Sequence, residues 1–171
     1  GGTYNPGNIS RRFLVYDPAT DAWQDMGEMA GGMGAGAPVT VANGIIYLLG
    51  YSYNNESSFV RYEPATNSWA SLPTPFFYRY QAALVAAPDG YLYLMGSHIE
   101  VVERFDPATA TWSAVNRSLN HVRDTAGVAY VEGSLYLVGG NYVGASHESL
   151  RLSGSFCESG LIDQQTAVSA D

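Results

Sequence analysis

The stretch Arg61-Tyr62-Glu63-Pro64-Ala65-Thr66-Asn67-Ser68-Trp69 has two near copies in the same chain. They are Val15-Tyr16-Asp17-Pro18-Ala19-Thr20-Asp21-Ala22-Trp23 and Arg104-Phe105-Asp106-Pro107-Ala108-Thr109-Ala110-Thr111-Trp112. The tryptophans stand 46 and 43 residues apart. A second trio keeps the same spacing: Gly44-Ile45-Ile46-Tyr47-Leu48-Leu49-Gly50, Gly90-Tyr91-Leu92-Tyr93-Leu94-Met95-Gly96 and Gly133-Ser134-Leu135-Tyr136-Leu137-Val138-Gly139. Two motifs in one register identify a repeat protein.

The glycine-bounded segments are short and apolar almost throughout. A strand wet on one face alternates, whereas a continuous apolar run fits a strand covered on both. Upstream lie Pro38-Val39-Thr40-Val41, Ala82-Ala83-Leu84-Val85 and Gly127-Val128-Ala129-Tyr130, joined to the apolar runs by tight turns at Asn43-Gly44, Asp89-Gly90 and Glu132-Gly133. This reads as a hairpin. The Asp/Glu-Pro-Ala-Thr element reads as a second turn. Proline presets one dihedral, and Asp and Thr bond nearby amides. Asp followed by Pro can also open a helix, but no 3.6-residue apolar stripe follows. Each repeat is therefore four short strands, A to D. Strand A is expected innermost, because Ala37, Ala82, Ala83, Ala126, Gly127 and Ala129 are small.

Four-stranded units of about 45 residues predict an all-β protein, a β-propeller. The pattern resembles the kelch repeat family, whose motif is a strand ending in a glycine pair, then a Tyr-Asp unit and a closing tryptophan. Gly1-Gly2 and Gly139-Gly140 keep the pair, while Gly50-Tyr51 and Gly96-Ser97 relax it. Tyr16-Asp17 keeps the second element, and Tyr62-Glu63 and Phe105-Asp106 vary it. Three to four blades are expected within residues 1–156: complete ones at 36–72 and 82–115, partial ones at 1–29 and 126–152. Residues 157–171 read as a polar tail or linker. The resemblance implies a ring of six or seven blades, so the chain reads as part of a larger propeller, with Gly1 not the natural start. An open arc leaves two apolar end faces, and the isolated chain is expected to self-associate.

Composition narrows function. All eight basic residues are arginines against sixteen acids, a formal charge of −8, which disfavours nucleic acid as partner. Without lysine there is neither a Walker-type phosphate loop nor Schiff-base chemistry. Cys157 stands alone, so no disulfide forms within the chain and no multi-cysteine zinc site exists. No apolar run approaches a membrane span, so no membrane insertion is expected. Gly31-Gly32-Met33-Gly34-Ala35-Gly36 reads as a D–A connection, because no helix pattern follows it. Asn8, Asn55 and Asn116 begin Asn-x-Ser triplets, which mark loops.

In such a meander the B–C loops (51–58, 97–100, 141–148) and the D–A loops (27–36, 73–81, 116–125) emerge on one side. They differ between repeats, and variation on a fixed scaffold is how binding surfaces are built. His98, His121 and His147 fall there, at different repeat positions, and read as loop residues; no metal or cofactor is expected. Arg79 and Arg123 occupy matching places before strand A. They are expected at the channel mouth, gripping a carboxylate, or else pairing with an acid such as Asp124 or with loop carbonyls. With His98 and His121, the residues Tyr53, Tyr78, Asn141 and Tyr142 complete the candidate binding set. Gly1, Gly2, Tyr16, Asp17, Trp23, Gly50, Tyr62, Trp69, Gly96, Phe105, Asp106, Trp112, Gly139 and Gly140 are read as the structural motif, with the tryptophans as packing residues.

The resemblance includes enzymes, a copper–radical oxidase branch and a sialic-acid mutarotase branch. The oxidase needs a cysteine cross-linked to tyrosine, and Cys157 lies beyond the repeats. The expected function is a non-catalytic module binding protein or glycan, extracellular or at a cell surface. The alternatives are a sugar-acting enzyme of the mutarotase kind and a cytoplasmic adaptor.

Overall fold

The computed structural model describes residues 3–5, 8–34, 36–51, 57–141 and 147–152, with no helix among them. Gly1, Gly2, Tyr53, Asn55, Tyr142, Cys157 and the tail lie outside the described residues. Among the described residues fifteen strands follow one another. β1 (Thr3–Asn5) and β2 (Asn8–Ile9) form a small ribbon, and β3 (Arg12–Asp17) and β4 (Ala22–Glu28) a hairpin. β5 (Val39–Ala42), β6 (Ile45–Tyr51), β7 (Ser57–Glu63) and β8 (Ser68–Leu72) make a four-stranded antiparallel meander. β9 (Ala83–Ala86), β10 (Leu92–Met95), β11 (Val101–Asp106) and β12 (Thr111–Ser118) repeat it. β13 (Gly127–Val131), β14 (Ser134–Val138) and β15 (His147–Arg151) form a three-stranded sheet. The chain divides into two compact units at Tyr78 and Arg79.

The turns form for reasons visible in the repeat. Asp17 Oδ1 accepts from the amide of Ala19 at 2.9 Å, and Asp17 Oδ2 from the Thr20 hydroxyl at 3.0 Å. Asp106 does the same for Ala108 and Thr109, at 2.8 and 2.9 Å. These turns, and the one at Glu63 held through its backbone carbonyl, deliver the chain back antiparallel, so that Tyr16, Tyr62 and Phe105 face Trp23, Trp69 and Trp112. Each facing pair touches, with ring centroids 5.2, 4.7 and 5.1 Å apart. The Tyr16 and Tyr62 hydroxyls donate to Asp21 and Asn67. Where the third repeat has Phe105, Ala110 replaces that acceptor, so phenol and acceptor leave together.

In the second unit the core lies between the β9–β12 sheet and the β13–β15 sheet. Tyr93, Met95 and Val102 of one meet Leu135 and Leu137 of the other, with Val128, Tyr130 and Leu150 at the margin. Burying each such leucine contributes roughly 1.5–3 kcal/mol. All four residues of β10 are buried, as the continuous apolar run predicts. In β14 burial alternates: Leu135 and Leu137 are inside, Tyr136 and Val138 exposed. The first unit gathers Met29, Met33 and Val60, with Phe13, Leu48 and Trp69 packed against them. Phe13 sets its edge against Tyr62 and Trp69 at 4.7 and 5.2 Å.

One expectation needs correction. The tryptophans are not all packing residues: Trp112 is 8% exposed, Trp69 is half-buried, and Trp23 is 68% exposed. Trp23 and Tyr16 share one face of the β3–β4 hairpin, and no described residue covers it.

Candidate functional site

The candidate surface is built by the loops between sheets. In the second unit they are tied into a floor. Ser97 forms an isolated bridge with Arg123, and the Ser97 hydroxyl accepts from the amide of Tyr80 at 3.0 Å. The amide of Thr125 donates to Gln81 O at 2.9 Å, that of Asn141 to Asp124 O at 3.1 Å, and that of Leu119 to Glu100 O at 2.7 Å. D–A and B–C connections thus emerge together, as the meander requires. The same holds in the first unit, where a Cβ on Gly50 would lie 2.3 Å from Gly32 O.

Arg79 lies beneath this floor. Its Nε and Nη2 donate to Glu103 Oε2 at 3.1 and 2.7 Å, and both side chains are fully buried. Nη1 donates to Gly96 O at 2.8 Å and Nη2 to Val101 O at 2.7 Å, so one guanidinium spans the ends of β10 and β11. Burial pulls its pKa below the ordinary arginine value and Glu103 opposes that, yet guanidinium remains charged in any protein setting. Arg123 is also buried, and its Nη1 donates to Gly139 O at 2.9 Å, the counterpart of the Gly96 contact.

Of the two readings open for these arginines, pairing with an acid or with loop carbonyls matches the contacts, and the grip on an external carboxylate does not. Both arginines point into the sheet, and the carboxylate facing Arg79 is the chain's own Glu103. Asp124 is buried too, but its Oδ1 has no hydrogen-bond partner among the described residues. Glu103 was not anticipated as Arg79's partner. It stands in β11 opposite Leu94, and Glu148 stands in β15 opposite Leu137, the same register. A glutamate at one register position in two strands, each in a repeat with an arginine before strand A, was the available signal.

The second repeat solves the same space differently. Gly34 takes the arginine's position, and a Cβ there would lie 2.6 Å from the ring of buried Tyr51. Tyr51 stands where the fourth repeat has Gly140, whose Cβ would lie 2.8 Å from Asp124 O. A bulky residue at one position requires a minimal one at the other. The relaxed Gly50-Tyr51 pair is thus explained by Gly34. Ser97 fills that position in the third repeat with φ of 74°, a left-handed conformation that costs a non-glycine residue on the order of 1 kcal/mol or more.

On the floor of the second unit, His98, Asn120, His121 and Asn141 are exposed. In the first unit Phe76 and Phe77 are exposed and Tyr78 is half-buried. Tyr53 and Tyr142 lie outside the described residues. Among those described, no three His, Cys, Asp or Glu side chains are gathered as metal ligands.

Comparison with known proteins gives the fold. No family model matches the chain, and no curated relative does. Among solved structures, "Structure of YjhT", a kelch-type propeller, is similar, with a TM-score of 0.68 at 15% identity over 88% of this chain. The match covers 61% of that chain, so this one spans less than two thirds of it. The fold is all-β and β-propeller-like.

Proposed function

We propose that the chain is a segment of a kelch-type propeller and serves as a non-catalytic binding module, in which the loop face recognises a protein or glycan surface. The observation that carries this reading is the contrast between floor and rim. The Arg79–Gly96 and Arg123–Gly139 contacts repeat, whereas the exposed side chains above them do not: His98 and Asn120-His121 have no counterparts at matching positions. A repeated support under variable polar side chains is the arrangement of a recognition surface. The arginines that would hold an acidic sugar are occupied inside the sheet, which removes the main support for a mutarotase-like activity. An acidic, lysine-free composition fits a cell-surface setting, with a cytoplasmic adaptor as the competing placement.

The test is a screen of the chain against a glycan array and a displayed random-peptide library, repeated with Asn120→Ala/His121→Ala and, separately, Phe76→Ala/Phe77→Ala. Binders selected on the parent are expected to weaken at least tenfold on the first variant, with an unchanged melting temperature. Loss only on the second moves the site to the first unit's aromatic pair. Binders indifferent to both variants, or acceleration by the parent of anomer exchange in an acidic sugar followed by NMR, overturn the reading.

A further inference from the structure

The second and third repeats differ along the free edge of strand D. β8 ends the order of its four-stranded sheet and β12 ends that of the next. Both edges lie mid-chain. Repeats stack face to face, as the β9–β12 and β13–β15 sheets do, so further repeats before or after the chain leave these edges as they are.

An edge strand turns unpaired amides and carbonyls to solvent and is usually blunted by charge, proline or a bulge. β12 is blunted twice: its register with β11 slips between Ala114 and Ser118, and Arg117 stands in the slip. In β4 the slip falls between Asp25 and Glu28, two acids. β8, Ser68-Trp69-Ala70-Ser71-Leu72, has no such device. Its five pairs with β7 run in unbroken register, and it contains neither a charged residue nor a proline.

A second difference lies beside that edge. In the third repeat Arg104 faces Ser113, donates to its hydroxyl at 3.1 Å and lies 4.5 Å over the ring centroid of Tyr91. In the second repeat Arg61 holds the same place. It faces Ala70, which offers no acceptor, and Ile45 stands where the third repeat has Tyr91. Arg61 is exposed, and its guanidinium makes no hydrogen bond or ion pair among the described residues. The regular edge is thus also the one with an unengaged cation behind it.

We infer that β8 is the docking edge for an extended segment of a partner protein that carries one acidic residue. The segment adds a strand to the second repeat's sheet. Alternate amides and carbonyls of β8 serve β7, and the others serve the incoming strand. Strands lie about 4.8 Å apart, so a residue facing Ala70 from the new strand is roughly 10 Å from the Arg61 backbone and on the same face. Ala70 is small, and an arginine and a carboxylate together span that distance over it. The chain's charge of −8 disfavours acids elsewhere on the segment, so a single acid among uncharged β-formers is the fitted pattern. This edge lies apart from the loop face and does not depend on the role proposed for it.

The test starts from random nonapeptides displayed and selected on the 1–171 chain. Peptides that bind the Asn120→Ala/His121→Ala chain equally well are kept, which sets loop-face binders aside. They are expected to carry Val, Ile, Thr or Tyr around one Asp or Glu. Synthetic copies are expected to slow deuterium exchange of amides within 68–72 and to leave 111–118 unchanged. Arg61→Glu is expected to weaken them by about tenfold or more and to favour copies with lysine in place of the acid. Ala70→Ser restores the acceptor that Ser113 supplies and is expected to weaken them a few-fold. Thermal melts establish that both variants are folded. The proposal is overturned if no such peptide is recovered, if those recovered leave exchange at 68–72 unchanged, or if Arg61→Glu binds them as the parent does. Protection of 68–72 that grows with the concentration of the chain alone also overturns it, by assigning the edge to a second copy.

Discussion

The β3–β4 hairpin and the β11–β12 hairpin are written in nearly the same words, yet only one is buried. Both carry an Asx turn, a facing aromatic pair and the same register. Trp112 is enclosed and Trp23 lies largely in water. The motif specifies strand pairing and turn geometry, which are local, and it says nothing of the sheet that stacks above. Burial belongs to the neighbour.

The sharpest way to break the comparison is at the ion pair beneath the third repeat, which the second repeat lacks. Arg79→Met leaves the Glu103 carboxylate buried without its guanidinium and frees two carbonyls, and should cost about 3–5 kcal/mol in urea unfolding. Arg79→Met with Glu103→Leu should recover most of that, because the uncompensated charge is gone. A single variant as stable as the parent would falsify the assignment of Arg79 as the clamp across β10 and β11.

The tryptophans come next. Trp112→Ala should destabilise by about 3 kcal/mol, the low end for a buried aromatic truncation. Trp23→Ala should cost under about 1 kcal/mol, chiefly its contact with Tyr16. Equal losses at the two sites would show that something covers Trp23 in solution.

Smaller again is the phenol that distinguishes the second repeat from the third. Tyr62→Phe removes a hydrogen bond to Asn67 of 2.9 Å and should cost about 1 kcal/mol. Tyr62→Phe combined with Asn67→Ala reproduces the Phe105–Ala110 pairing and should lose little more than the single change. A double variant far less stable than the single would mean that Asn67 acts elsewhere, for instance through its left-handed φ of 48°.

How much of this was legible in the sequence follows from the same division between local and neighbouring structure. The strands, their pairing and the turns could be read from spacing, because glycines, prolines and Asx residues act within a few positions of themselves. The arginines were legible as a repeated position but not as buried. The destination of Arg79 depends on Glu103, distant in sequence and adjacent only through the β10–β11 register. The exchange of Gly34 against Tyr51 was equally hidden, since each looked like a separate departure from the pattern until their atoms met. The rim residues His98 and His121 were visible as loop residues because loops vary, and for that reason their sequence does not name a ligand.

The smallest effect separates two turns by pH. In the third repeat the carboxylate of Asp106 accepts from the amide of Ala108 and the hydroxyl of Thr109, and these bonds hold its pKa below the usual aspartate value. In the second repeat Glu63 occupies the position but its backbone carbonyl takes the contacts, from the amide and hydroxyl of Thr66 at 3.3 and 3.5 Å. A carbonyl does not titrate. A carboxylate with a depressed folded pKa contributes stability that is fully present above its unfolded value, about 3.9, and is lost as pH falls through the folded value. Asp106→Ala should therefore lower the melting temperature at neutral pH, and the gap to the parent should close on acidification below about pH 4. A gap at Asp106 that persists unchanged to pH 2 would mean that the turn is held by backbone geometry in both repeats and that the aspartate is dispensable to it.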